Sequence, residues 1–189
     1  PDGSQVKLNS ESKLSYNSYR WYQNRKVSLT GEAYFMVEKG KPFTVCCNNC
    51  TVKVLGTTFN VCSRNDQYKV ECITGKVKVK GLKSENIITP GEAVKCTHAA
   101  DSASLYTFDV STGGSWTRGE YFFNHDKLED VFKEMERQYD VSITCDSASG
   151  RTYSGYFNSS MTLDKSMELI CQPMGLTYTI SGNSTVVVK

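Results

Sequence analysis

The fold of this protein is decided by residues 27–91, which read VSLTGEAYFMVEKGKPFTVCCNNCTVKVLGTTFNVCSRNDQYKVECITGKVKVKGLKSENIITPG. Apolar and polar residues alternate in short segments here, as at Phe43, Val45 and Cys47. Such a period of two is typical of strands with one buried and one solvated face. Glycine, proline and asparagine separate the segments, and regular short strands with such breaks are typical of a β-sandwich, barrel or solenoid.

The same pattern extends on both sides of this stretch. We predict strands at residues 5–8, 13–16, 32–38, 42–47, 50–55, 57–62, 68–73, 76–80, 92–97 and 105–110. No helix of useful length fits before about Ser115. The first domain, residues 1–110, is therefore predicted to be all-β.

Residues 111–115, Ser-Thr-Gly-Gly-Ser, are small and are predicted to form a linker. Beyond them the periodicity becomes helical at two places, residues 127–138 and 163–171. Asp126, followed by Glu129, predicts a capping box, and Thr162 is predicted to cap the second helix. Strands are predicted at residues 120–123, 141–145, 152–157, 176–180 and 185–188. Residues 116–189 thus form a predicted α+β domain with the order β-α-β-β-α-β-β, closed by a hairpin.

Two sets of motifs resemble known domains. The segments GEAYFMV, PFTV, VKVLGTTFNV, TGKVKV and TPGEAV, with the opening PDGSQVKLNSESKLSY, resemble the FecR domain as found in Bacteroidota. The segments WTRGEYFFNHDKLEDVFKEMERQYDV, SGYF, MTLDKSMELI and GLTYTI are similar to the STN-type domain that follows FecR domains. One departure is His125-Asp126, where that domain usually has a small polar residue and a proline.

This resemblance implies the periplasmic sensor region of a transmembrane anti-sigma factor in cell-surface signalling. A TonB-dependent outer-membrane transporter would dock its signalling domain on the C-terminal STN-like domain. A cytoplasmic segment outside this chain would control an extracytoplasmic-function sigma factor, and an upstream helix would anchor the protein in the inner membrane. The resemblance implies no cofactor.

The net charge and the distribution of apolar residues argue against some classes of protein. Lysine and arginine number 22 against 20 aspartates and glutamates, a net charge of +2, which argues against a nucleic-acid binder. No apolar run reaches the roughly 20 residues that span a bilayer, and no signal peptide opens the chain. Because the sequence begins at Pro1 without a methionine, we interpret it as an excised soluble fragment.

The sequence does not predict an enzyme or a metal site. Its two histidines, His98 and His125, are too few for a nucleophile, base and orienting group. A zinc site requires two ligand pairs, and near Cys47 and Cys50 only Cys46 and the pair Cys96 and His98 are available.

The eight cysteines fit disulfides in an oxidising compartment. Cys145 and Cys171 would be alone in the C-terminal domain and are the disulfide candidates. Free buried thiols are the alternative. Cys47-Asn48-Asn49-Cys50 is a C-x-x-C motif that suits a two-residue hairpin turn, with a redox-active pair as a weaker alternative because a strand, not a helix, follows it.

Exposed sheet edges are the predicted binding surface, because small α+β domains bind partners by adding a strand. The candidates are the last strand and one inner strand; their residues are Thr185, Val186, Val187, Val188, Tyr153, Tyr156 and Phe157. Alternatively these side chains fill the small core. A rival function is a periplasmic carbohydrate- or polymer-binding module that uses Tyr19, Trp21 and Tyr22, although these aromatics could instead pack a strand edge.

Overall fold

The structure, a computed structural model, describes residues 1–64, 67–96, 102–182 and 184–189. The chain divides into two compact units, Pro1–Thr117 and Arg118–Lys189. Most of the regular structure is β, with two α-helices among the described residues.

The first unit is all-β, as predicted, apart from short 3₁₀ turns near its end. Its described strands are β1 Gln5–Leu8, β2 Lys13–Tyr16, β3 Arg25–Met36, β4 Phe43–Cys46, β5 Cys50–Val54, β6 Thr58–Arg64, β7 Gln67–Cys72, β8 Val77–Gly81, β9 Glu85–Ile88, β10 Glu92–Cys96 and β11 Ser104–Thr107. Sequence reasoning places β1 and β2 correctly and most others within about two residues. It misses β9 and the first seven residues of β3.

Strand β3 organises this unit, because it pairs with four other strands. Its N-terminal part lies between β2, which is antiparallel, and β4, which is parallel. Its C-terminal part lies between β1 and β6, both antiparallel. Gly31 separates the two parts with a φ of +94°, and a Cβ there would approach the Ser12 Cα to 2.8 Å. Glycine satisfies both the conformation and the contact.

The strands form one sheet with the order β11-β10-β7-β6-β3-β4-β5-β8-β9, and β1 and β2 join it at β3. The sheet curls so that its two halves share one apolar core. At the centre of this core the Phe35 ring stacks on Phe59, with centroids 4.9 Å apart, and meets Phe43 edge-on at 6.1 Å.

Residues 111–115 differ from the predicted linker. They lie within the first unit, where two 3₁₀ turns, Val110–Thr112 and Ser115–Arg118, follow β11. Gly114, with a φ of +59°, lies so close to Tyr34 that an added Cβ would meet its ring at 2.3 Å. The small residues permit close packing, and the units divide after Thr117.

The second unit has the predicted order β-α-β-β-α-β-β. Its elements are β12 Glu120–Lys127, α1 Leu128–Tyr139, β13 Ser142–Cys145, β14 Thr152–Asn158, α2 Leu163–Cys171, β15 Tyr178–Ser181 and β16 Thr185–Val188. Strands β12 and β14 form a two-stranded antiparallel sheet. A second sheet has the order β13-β16-β15, in which β13 and β16 are parallel.

The predicted helix caps have different outcomes. Thr162 caps α2 as predicted, since its hydroxyl oxygen accepts a hydrogen bond from the Lys165 N–H at 3.2 Å. The prediction of a capping box at Asp126 is wrong, because β12 continues to Lys127 and α1 begins without a side-chain cap. Asp126 Oδ2 instead accepts from the Asn124 N–H at 3.0 Å.

Among the described residues, no helix combines the length and apolar character needed to cross a membrane.

Candidate partner-binding surface

The two-stranded sheet of the second unit carries an exposed aromatic pair. Phe122 on β12 lies directly opposite Tyr156 on β14, with ring centroids 5.9 Å apart. Their side chains remain 52% and 49% exposed. Large apolar groups exposed side by side are typical of surfaces that bind another protein.

The opposite face of this sheet is buried. Tyr121 and Phe157 form a cross-strand pair with stacked rings 4.6 Å apart, and Phe157 is completely buried. The Tyr153 hydroxyl donates a 3.4 Å hydrogen bond to the Leu169 carbonyl of α2, and burial raises the pKa of Tyr153. Of the three predicted binding residues on β14, only Tyr156 is thus presented to solvent. Tyr153 and Phe157 fill the core, which was the alternative interpretation.

A β-bulge interrupts this sheet next to the exposed pair. The register shifts between Phe123 and Asp126, and His125 takes a φ of +55°. The His125 N–H donates to Ser154 Oγ at 2.9 Å, so the bulge is fixed to β14 by a side chain. Bulges increase the local twist and re-aim side chains. His125 is exposed, and its Nδ1 lies 2.8 Å from Asn124 Oδ1.

The edges of the two sheets differ in their availability. Among the described residues, β14 pairs only with β12, so one edge of each strand faces no other strand. Strand β16 lies between β13 and β15, and both of its edges are occupied. The prediction of strand addition at Thr185, Val186, Val187 and Val188 is therefore wrong. The sequence alone does not reveal the parallel pairing of β16 with β13, because 39 residues lie between the end of β13 and the start of β16.

Tyr19, Trp21 and Tyr22, the aromatic residues of the alternative carbohydrate-binding surface, are not all exposed to solvent. Trp21 is only 4% exposed and packs edge-on against Tyr16 and Phe43, at 5.2 and 5.9 Å between centroids. Tyr19 is 96% exposed, and Tyr22 is also exposed. Tyr19 borders a polar surface groove, whose lining residues are Ser15, Tyr16, Asn17, Ser18, Tyr19, Arg20, Asn24, Lys26 and Ser28. Trp21 therefore packs in the core of the first unit, in line with the alternative interpretation that these aromatics have a packing role.

Sequence reasoning missed a buried polar network in the first unit. Asn60 on β6 donates to Glu32 Oε1 at 2.8 Å and to Glu71 Oε2 at 3.3 Å. The Trp116 indole N–H donates to Asn60 Oδ1 at 3.0 Å, which fixes the 3₁₀ turn of Trp116 to the sheet. Partial burial of Lys69 would lower its pKa, but the Glu71 carboxylate, 2.5 Å from the Lys69 Nζ, raises this pKa above its ordinary value. Each carboxylate is occupied, so the network serves structure. Only strand register brings these residues together.

The structure holds all eight cysteines as free thiols. Cys171 is buried, and burial raises its pKa to about 11. Cys145 is half-buried and lies 3.6 Å from Ser147 Oγ. The Cys145–Cys171 disulfide is not formed here and stays a prediction.

The described residues hold no group of three or more His, Cys, Asp or Glu side chains that could bind a metal ion. His98, weighed above as a ligand beside Cys96, lies outside the described residues.

Two family models match the chain, one in each unit. Residues 1–78 match the model for FecR protein, and residues 120–188 match the model for FecR, C-terminal. The chain belongs to the FecR family.

Solved structures of the same architecture are known. Two crystal structures of a candidate anti-sigma factor from Parabacteroides distasonis ATCC 8503, at 1.65 and 2.50 Å resolution, each share 26% sequence identity with this chain. Each superposes with a TM-score of 0.91 over 100% of this chain, and covers 91% and 90% of the other chain respectively. Among curated proteins, none matches this chain at a significant level.

Proposed function

We propose that this protein is the periplasmic sensor region of a transmembrane anti-sigma regulator. Its second unit, which we regard as STN-like, receives the signalling domain of a TonB-dependent outer-membrane transporter. Docking controls an extracytoplasmic-function sigma factor through a cytoplasmic segment outside this chain. An upstream inner-membrane helix connects the two sides.

Family and likeness support the regulatory part of this proposal. FecR-family models match both units. The similar Parabacteroides distasonis structures are described as those of a candidate anti-sigma factor, and the likeness spans the whole chain. The similarity to FecR-family proteins therefore extends over both units of this chain.

The observation that carries the docking site is the exposed pair Phe122 and Tyr156. Both rings lie on the outer face of a two-stranded sheet whose outer edges face no other strand among the described residues. An incoming strand could add main-chain hydrogen bonds at β14 while its side chains cover the two rings. Since the inner face is occupied by Phe157 and Tyr121, the docked partner would not disturb the core.

Signalling requires only a small coupling free energy from docking at this surface. A docking event has to favour one state of the regulator over another, and a coupling of about 1–3 kcal/mol changes the equilibrium by roughly 5- to 150-fold. No bond is made or broken at the docking surface.

The test measures binding of a transporter signalling domain by calorimetry. We expect the double variant Phe122→Ala/Tyr156→Ala to bind at least about tenfold more weakly, which corresponds to about 1.4 kcal/mol. Leu82→Ala is the matched control, because Leu82 is a large exposed apolar residue of the first unit. Unchanged affinity in the double variant would exclude this surface.

Two further measurements sharpen the result. Hydrogen exchange in the complex should show added protection in peptides from 120–127 and 152–158. Calorimetry against glycans tests the rival: sugar binding without affinity for a signalling domain would favour the carbohydrate-binding module.

A further inference from the structure

The hairpin of β4 and β5 places two cysteines opposite each other at its closed end. Cys46 pairs with Thr51, so the next facing positions are Cys47 and Cys50. The Cys47 N–H donates to the Cys50 carbonyl at 2.9 Å. The Asn48-Asn49 turn predicted from the C-x-x-C motif therefore closes this hairpin.

Both side chains face the interior of the first unit. Val45 and Val52 form the preceding inward pair, and both are completely buried. With a period of two, Cys47 and Cys50 continue the same face. Cys50 is buried, and Cys47 is half-buried and packs against the core.

Hydrogen bonds make the two thiols unequal. Cys50 and Ser63 hydrogen-bond to the Cys47 sulfur, and these bonds lower the pKa of Cys47 below its ordinary value despite burial. The same contact with Cys47, together with burial, raises the pKa of Cys50. Two thiols at facing positions, one with a lowered and one with a raised pKa, have the arrangement of an attacking and a resolving cysteine.

We propose that Cys47 and Cys50 form a reversible disulfide by exchange with a disulfide oxidant, either a small molecule or a protein. The Cys47 thiolate attacks one sulfur of the oxidant, and the oxidant's other sulfur leaves as a thiolate. Cys50 then loses its proton to solvent and attacks the Cys47 sulfur, which expels the second thiolate of the oxidant. Two protein thiols are oxidised to one disulfide, and the oxidant is reduced to two thiols.

This proposal is independent of the docking surface, since all of its residues lie in the first unit. The proposed modification is a disulfide at a hairpin turn of this protein, and the proposal does not include thioredoxin-like catalysis. The bond would lock the end of a hairpin whose strand β4 pairs with β3.

The experiment equilibrates the folded protein with graded ratios of oxidised to reduced glutathione, then alkylates it and maps its peptides. One tryptic peptide ends at Lys53 and holds Cys46, Cys47 and Cys50. In Cys46→Ser only the proposed pair remains on this peptide. We expect it to lose two hydrogen atoms, to resist alkylation and to recover both thiols with dithiothreitol. The midpoint ratio should be about tenfold lower than for the urea-unfolded chain, a difference of about 30 mV.

Two controls define the assignment. Cys62→Ser removes a thiol on β6 outside the pair and should behave as the wild type, whereas Cys47→Ser should form no disulfide within the peptide. The proposal is overturned if the folded Cys46→Ser variant keeps both thiols alkylatable at every ratio. It is also overturned if Cys50 pairs with another peptide, or if folded and unfolded chains share one midpoint. The Cys46→Ser readout retains both proposed cysteines, so it stands even where Cys47→Ser fails to fold.

Discussion

Arg25 lies at the start of β3, only 7% exposed and surrounded by oxygen acceptors. Its Nε donates to Asp2 Oδ2 at 2.6 Å, and its Nη1 donates to the Lys41 carbonyl at 2.7 Å. Nη2 donates to the Glu38 carbonyl at 3.0 Å. Charge-assisted bonds of this kind are stronger than neutral ones. One guanidinium thus fixes both the N-terminal segment and the turn after β3 to the central strand.

The ion pair predicts an effect of Asp2→Asn on stability. The variant removes the charge that faces a buried cation, so the free energy of unfolding should fall by roughly 1.5–3 kcal/mol at neutral pH. Although burial raises the pKa of Asp2, hydrogen bonds from Ser4 and Arg25 hold it below the usual 3.8. A carboxyl group whose pKa is lowered in the folded state stabilises the protein at pH values above the pKa of the unfolded chain. That stabilisation is lost as the pH falls through the folded-state pKa.

Urea unfolding across a pH series checks this prediction. The difference between wild type and Asp2→Asn should be constant near neutrality and should shrink below about pH 4. Glu11→Gln, at an exposed carboxylate, is the control. A difference that persists unchanged in acid would show that the Asp2 charge is not responsible.

At the scale of elements, the two helix starts show what local sequence can decide. Thr162 caps α2 as expected, and its backbone has the extended conformation of a cap, with φ −68° and ψ 154°. Asp126 has the same capping chemistry but belongs to β12, whose pairing with β14 extends to Lys127 opposite Thr152. Tertiary pairing therefore outweighs a local signal at that helix.

The cap predicts a modest and specific loss of stability. Thr162→Ala should lower the free energy of unfolding by about 1 kcal/mol, because the Lys165 N–H loses its side-chain acceptor. Thr162→Ser retains a hydroxyl and should lose little. The helical circular dichroism signal followed during urea unfolding measures both. Equal losses in the two variants would assign the effect to the threonine methyl group.

Sheet order is the part of the fold that the sequence predicts least well. Period-2 alternation locates most strands, because burial of one face needs only neighbouring residues. It does not tell which strands are neighbours. The central place of β16 and the four partners of β3 depend on contacts between distant residues. For the same reason Tyr156 was predicted in the binding surface but Phe122, its partner across the strands, was not.

For the whole molecule, two spectroscopic signals report on one unit each. Both tryptophans, Trp21 and Trp116, lie in the first unit. The α-helices of the described chain, α1 and α2, lie in the second. Tryptophan fluorescence therefore follows the β unit, and the helical signal follows the α+β unit.

This division predicts the effect of Phe59→Ala. The ring is completely buried in the core cluster of the first unit, so its removal should cost about 3–5 kcal/mol. We expect the fluorescence midpoint in urea to fall by a corresponding amount, and the helical midpoint to move much less. Exposed Leu55→Ala, in the same unit, should move neither. Equal shifts of both signals in Phe59→Ala would show that the units unfold as one.

The four-partner strand β3 also has a consequence for how the first unit folds. Its partner residues range from Gln5 in β1 to Ser63 in β6, so the sheet around it closes only after distant parts of the chain have met. Loops must be closed before these contacts repay their entropy, and topologies of this kind fold slowly, in milliseconds to seconds. While a nascent chain waits for β6, the C-terminal part of β3 exposes the unpaired edge that β6 will cover. That interval, rather than the finished structure, is when this unit is most prone to aggregate.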